Sequence, residues 1–289
     1  MHERGDPMNG RRISQRGIEE LRHRLSDRDL VILNQVADLR VMSALHIEAL
    51  HFTTADHQTQ LAAARACRRV LERLVRDRLL VRLERRVGGV RAGSASYVYR
   101  LGHTGQRVLN LEGPRRRFRE PSVLFTDHTL AITQLVVDLT TTSRGGQFEL
   151  LDLQSEPRCW RHAGGGHGKV TLRPDLYAIV GTPEYEYRWF IEVDRGSEHL
   201  PTLVAKCQAY DDFYRTGTEQ RAHGVFPRVC WIVPCDGRAN ALVERIQKTR
   251  RLTPSMFEVT TPRSSIAALS GEMPIIASRT SDTRSGGIR

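Results

Sequence analysis

Apolar positions along this chain follow two rhythms. Between Ser26 and about Asp77 they recur every three or four residues, which predicts helices. Ser26 and Asp27 are N-cap types ahead of Leu30, Ile32, Leu33, Val36 and Leu39. Ser43 caps a second short helix carrying Leu45, Ile47, Ala49 and Leu50. After a polar stretch at 51–59, a third helix runs from about Gln60 to Asp77. On it Cys67, Val70, Leu71 and Leu74 share one face, and Arg65, Arg68, Arg69, Arg73 and Arg76 share the opposite one. Leu80–Leu83 and Tyr97–Leu101 then read as two strands around an Arg- and Gly-rich turn at 85–96. Further on, helical spacing from Thr126 or Asp127 to Leu139 gives way to strands at Phe148–Leu153, Val170–Val180 and Tyr185–Val193, with a Gly-rich loop at 158–168. A helix at Leu200–Tyr214, a strand at Val229–Val233, a helix at Ala239–Arg250 and a strand at Phe257–Thr260 complete the pattern.

The first rhythm predicts a winged helix-turn-helix at 26–111. A helix with an apolar back and an arginine front suits packing on two others and entry into a DNA major groove. Arg85, Arg86 and Arg91, at the tip of the following hairpin, would reach phosphates or the minor groove. The string from Tyr99 to Leu109 resembles the strand-to-helix exit of many bacterial winged-helix regulators. Residues 112–121, with Pro114, Pro121 and four arginines, read as a linker. Residues 122–262 form a second domain of mixed α/β type with the order αβββαβ. A basic arm at 1–25 and a Ser/Thr/Arg-rich tail at 263–289 are expected to be disordered.

Charge sharpens this division. The net charge is +11, and residues 1–120 hold 24 arginines against 14 acids, while 121–289 hold 20 basic residues against 19 acids. A bias toward arginine explains why only Lys169, Lys206 and Lys248 are lysines, but not why the excess sits at one end. A polyanion, most simply double-stranded DNA, is the expected partner of the first domain. Apolar runs are far short of the ~20 residues that a bilayer requires, so no membrane is expected. No apolar stretch follows the N-terminal charges, which favours a cytoplasmic protein. The five cysteines are scattered and odd in number, which predicts thiols buried as small hydrophobes rather than disulfides or a zinc site.

The candidate chemistry lies in the second domain. Asp175 follows Arg173-Pro174 on one predicted strand, and Glu192 and Asp194 alternate onto one face of the next. Lys206 and Tyr210, four apart, share a face of the following helix. Each has an ordinary reading alone: edge-strand charge, ion pairs with Arg173, Arg188 or Arg195, a solvated lysine, a core tyrosine. Together they would form a carboxylate pocket suited to Mg²⁺ or Mn²⁺, with oxygen ligands from Asp175, Glu192 and Asp194. His162 and His167 flank the Gly-rich loop, and the three Trp read as core.

Pro174-Asp175 followed by Glu192-Val193-Asp194 resembles the PD-(D/E)xK nuclease superfamily, the restriction-endonuclease-like fold. Asp194 stands where that superfamily usually has Lys, and Lys206 with Tyr210 resembles the variant that carries the Lys on the next helix. The chain from about Ser26 to Thr261 resembles the actinobacterial replication-relaxation family. That resemblance implies a DNA-binding protein of plasmid replication and DNA relaxation, with metal-dependent DNA nicking or cleavage by Asp175, Glu192, Asp194, Lys206 and Tyr210. The alternative is a non-enzymatic DNA-binding regulator whose second domain serves homodimerisation or recruitment.

Overall fold

The computed structural model describes residues 13–83, 96–110, 122–165 and 168–272. The chain divides into two compact units, one up to Thr133 and one from Gln134 onward. The division falls inside a helix, whereas composition places it at 112–121, which lies outside the described residues.

The first unit begins with α1 (Gln15–His23), α2 (Asp27–Leu39), β1 (Val41–Ser43), α3 (Ala44–His51) and α4 (Gln60–Arg76). It continues with β2 (Leu80–Leu83), β3 (Val98–Leu101) and α5 (His103–Val108). Side chains start four of these helices; at α1, Ser14 Oγ accepts from the Gly17 amide at 3.1 Å. Ser26 and Asp29 form a reciprocal capping box at α2, Ser43 and His46 do the same at α3, and Thr59 accepts from the Ala62 amide at α4. The three strands form one antiparallel sheet in the order β1-β3-β2. Ala63, Cys67, Leu71 and Leu74 bury the expected face of α4, while Val70 is only half-buried.

Two sequence expectations are corrected in this unit. Residues 15–23 are helical: Ile18 and Leu21 are buried, and α1 packs against α5. The arm's charges mask this short apolar stripe in the sequence. Arg73 does not belong to the exposed front of α4. Its guanidinium lies 2.7 Å from the buried Asp29 carboxylate, tying α4 to the cap of α2. Arg65, Arg68, Arg69 and Arg76 are exposed as expected. Arg85, Arg86 and Arg91 lie outside the described residues.

α6 (Val123–Arg144) crosses from the first unit into the second. β4 (Glu149–Ser155), β5 (Arg161–Gly165), β6 (Gly168–Leu172), β7 (Leu176–Gly181) and β8 (Glu186–Val193) follow. Then come α7 (Leu200–Arg215), α8 (Thr218–His223), β9 (Arg228–Ile232), α9 (Asp236–Lys248), β10 (Phe257–Thr260) and α10 (Ser265–Leu269). A five-stranded sheet has the order β10-β9-β8-β7-β4. It is mixed: β4, β7 and β8 run antiparallel in succession, and β8, β9 and β10 run parallel. Parallel neighbours require crossovers, which α7 and α9 supply, and these two helices pack together. Phe190, Trp231, Val229, Val259, Leu203, Cys207 and Tyr210 belong to one buried cluster on that side. Trp189, on the opposite side of β8, donates its indole N–H to the Leu269 carbonyl at 2.9 Å.

The second unit also departs from expectation. The Gly-rich segment is a β-hairpin, β5 with β6, not a loop. The single strand expected at 170–180 is two strands broken at Arg173-Pro174-Asp175, because proline lacks the donor that would continue a ladder. Residues 265–269 are helical with Ala268 and Leu269 buried, so the fold runs past the expected end at 262. Cys235 is exposed, whereas the other four thiols are buried. Among the described residues no helix is long and apolar enough to cross a membrane.

Candidate active site

The topology brings the sequence-predicted residues of β7, β8 and α7 to one place. Leu176 faces Ile191 across the β7–β8 pair, and the Asp175 amide donates to the Ile191 carbonyl at 3.1 Å. One step further along the antiparallel register sets Asp175 beside Glu192. The Val193 amide donates to Asp175 Oδ2 at 2.8 Å, which fixes that carboxylate against β8.

Glu192 is 4% exposed. Its Oε1 accepts from the Tyr210 hydroxyl at 2.6 Å, and its Oε2 lies 3.7 Å from Lys206 Nζ. Lys206 also lies 3.4 Å from Glu198 Oε2, so its ammonium spans two carboxylates. Spacing of four residues on α7 places Tyr210 within the core and Lys206 at its margin, 44% exposed at the side chain. Trp231, opposite Glu192 on β9, closes the far side, with Lys206 Nζ 5.9 Å from its ring centre.

The electrostatics follow from this crowding. Burial and the neighbouring Asp175 carboxylate push the Glu192 carboxyl up to about 8, against the pull of Lys206 and the Tyr210 hydrogen bond. Burial and then Glu192 raise Tyr210 well above the ordinary phenol range, so it stays a donor. Burial opposes the charge on Lys206, but Glu192, Glu198 and Asp175 outweigh it and hold the ammonium protonated beyond its usual range.

Asp194 has other partners. β8 ends at Val193, and Gly196 bends the chain with φ of +81°. Asp194 Oδ1 accepts from the Gly196 amide at 2.9 Å, and Oδ2 pairs with the Arg238 guanidinium at the start of α9. Arg238 also donates to the Glu198 carbonyl at 2.5 Å. Asp194 therefore anchors the loop that carries Glu198, and both its oxygens are engaged away from Asp175 and Glu192. Sequence reasoning missed Glu198 and Arg238: one lies in a loop without periodicity, the other 44 positions from its acidic partner. The ion pairs weighed for Arg173, Arg188 and Arg195 with Glu192 or Asp194 do not form; Arg188 pairs with Glu186 instead.

Asp175 and Glu192 are the side chains here that fit a divalent cation. They are adjacent across the β7–β8 register and offer the hard oxygen donors that such a cation takes. Among the described residues no group of three His, Cys, Asp or Glu side chains is arranged to hold a metal. Two carboxylates suit Mg²⁺, which keeps several waters and takes further oxygens from substrate phosphate. A cleft of about 730 Å³ lies elsewhere, around Phe148, Leu151 and Tyr185 at the far end of the β7–β8 hairpin, and is not part of this cluster.

No curated protein and no solved structure matches the chain in comparison. The replication-relaxation family model matches residues 33–229. That stretch runs from within α2 to the start of β9 and takes in Asp175, Glu192, Lys206 and Tyr210. The chain therefore belongs to the replication-relaxation family.

Proposed function

We propose that this protein binds double-stranded DNA through its first unit and hydrolyses a DNA phosphodiester with its second, in plasmid replication or relaxation. The order α2-β1-α3-α4-β2-β3 and the β1-β3-β2 sheet support a winged helix. α4 would enter the major groove, with Arg65, Arg68, Arg69 and Arg76 toward DNA.

The observation that carries the catalytic reading is the convergence of Asp175, Glu192, Lys206 and Tyr210 from two strands and a helix. The PD-(D/E)xK-like order of these residues supports the same reading. Asp175 and Glu192 would hold Mg²⁺ or Mn²⁺. Such an ion, when bound, supplies Lewis acidity toward a phosphoryl oxygen. Tyr210 orients Glu192 by donating to Oε1. Lys206 would orient the attacking water or stabilise charge on the phosphoryl oxygens. Asp194 supports the site by anchoring the β8–α7 loop rather than as a ligand.

Supercoiled plasmid incubated with the full chain and Mg²⁺ or Mn²⁺ is expected to yield nicked or linear product. Asp175→Ala and Glu192→Ala are each expected to lower the rate at least about a hundredfold. Equal persistence of supercoiled plasmid with wild type and Asp175→Ala rejects the catalytic reading. A second reading, a DNA-binding adaptor with a degenerate nuclease fold, draws on the acid at 194 and its commitment to Arg238. It predicts salt-sensitive DNA binding without metal dependence.

A further inference from the structure

A basic stretch with no assigned role adjoins Asp175. From Pro157 to Pro174 the chain carries Arg158, Arg161, Lys169 and Arg173 and no acidic residue. This stretch is the β5–β6 hairpin with its two roots. The hairpin forms its own two-stranded sheet, outside the five-stranded one. Its inward residues Ala163 and Leu172 are buried in the α7 cluster, and Arg161 is committed to the buried Glu219 at 3.2 Å.

The two roots are fastened to each other and to the site. The Cys159 thiol donates to the Pro174 carbonyl at 2.9 Å and lies 3.8 Å from the Asp175 carbonyl. Next to Cys159, Trp160 offers its ring to Arg173, whose guanidinium lies 4.9 Å from the ring centre. Arg173 is exposed, and among the described residues it pairs with no carboxylate. In this it differs from Arg161, Arg188, Arg228 and Arg238, each of which has an acidic partner. Stacking on an indole fixes a guanidinium's plane and leaves its edge N–H groups available for a planar, bidentate contact with phosphate.

We propose that Arg173, held on Trp160 at the root of the β5–β6 hairpin, is a phosphate contact for the DNA strand that enters the Asp175–Glu192 site. This rests on the reading above that the second unit acts on DNA. Arg173 is two residues from Asp175, so their backbones lie at most about 7 Å apart, and a phosphate gripped there is near the carboxylates. The contact orients the strand; it takes no part in bond cleavage.

The test uses the full chain and a labelled single-stranded oligonucleotide, with binding followed by anisotropy in EDTA across a salt series. Arg173→Ala is expected to lower the slope of log K against log salt by about 0.7, one phosphate's share on a single strand. Arg173→Lys, which keeps the charge, is expected to keep the slope. In metal-dependent cleavage, Arg173→Ala is expected to raise KM about tenfold with kcat within about twofold. An unchanged slope in Arg173→Ala overturns the proposal, as does a fall in kcat with KM intact. Arg173 is a surface side chain, and its replacement leaves the hairpin's core anchors in place. If Asp175→Ala abolishes cleavage while Arg173→Ala leaves the slope unchanged, the catalytic reading stands and the phosphate contact falls. If the slope falls while Asp175→Ala leaves cleavage unchanged, the catalytic reading falls, and with it the assignment of Arg173 to a strand entering that site.

Discussion

Glu192 is a buried carboxyl that meets a carboxylate, an ammonium and a phenol at once. Burial and Asp175 raise it to about 8, so the folded protein holds a proton there that the unfolded chain releases near about 4.3. Where the native state binds more protons than the unfolded state, stability falls as pH rises. The window here runs from the ordinary carboxylate range up to about 8. Glu192→Gln has the same shape and does not titrate. In EDTA its Tm advantage over wild type is expected to grow by at least about 3 °C between pH 5 and pH 9. A gap that stays flat over that range would place the carboxyl in its ordinary range. The sequence names Glu192, Lys206 and Tyr210 through alternation and i,i+4 spacing, two rules that depend only on local geometry. Glu198 obeys no such rule, because a loop has no period, and it emerges only once Gly196 has turned the chain.

At the level of elements, α4 separates two kinds of arginine that look alike in the sequence. A helical projection puts Arg73 with Arg65 and Arg69, but the projection knows nothing of Asp29, 44 positions earlier. Asp29 is 1% exposed, and Arg73 is its cation. Arg73→Ala is therefore expected to cost about 1–3 kcal/mol in urea unfolding, since a buried acceptor loses its donor. Arg65→Ala and Arg69→Ala are expected to stay within about 0.5 kcal/mol. Loss of DNA binding in an Arg73 variant would thus report on folding, whereas loss in the other two would report on contact. The same limit explains the β5–β6 hairpin. Three consecutive glycines signal a loop by composition, and only the pairing of Arg161 with Leu172 and Ala163 with Val170 makes it a sheet. The break at Pro174 was visible as a proline, yet a run of β-formers on both sides conceals it.

For the molecule as a whole, the charge is uneven along the chain. The basic excess belongs to residues 1–120, and the carboxylate pocket lies in the unit that is nearly neutral. Replacing Arg65, Arg68 and Arg69 together with Ala is expected to raise KM for plasmid at least about tenfold, to leave kcat within about twofold, and to remove roughly 2–3 from the salt slope on duplex DNA. A drop in kcat with KM unchanged would remove α4 from the DNA interface. The mixed α/β class and the order of most strands and helices are legible from periodicity. The boundary between units is not, because α6 runs through it and a continuous helix carries no punctuation.

The bond between Asp194 and Arg238 reaches past residue 229, where the family match ends. It ties the identity of one position to that of a distant one. A lysine at 194 would set its ammonium against the Arg238 guanidinium at a buried position, and two like charges would repel. A lysine at 194 would therefore require a compensating exchange on α9, so the two positions can change only together.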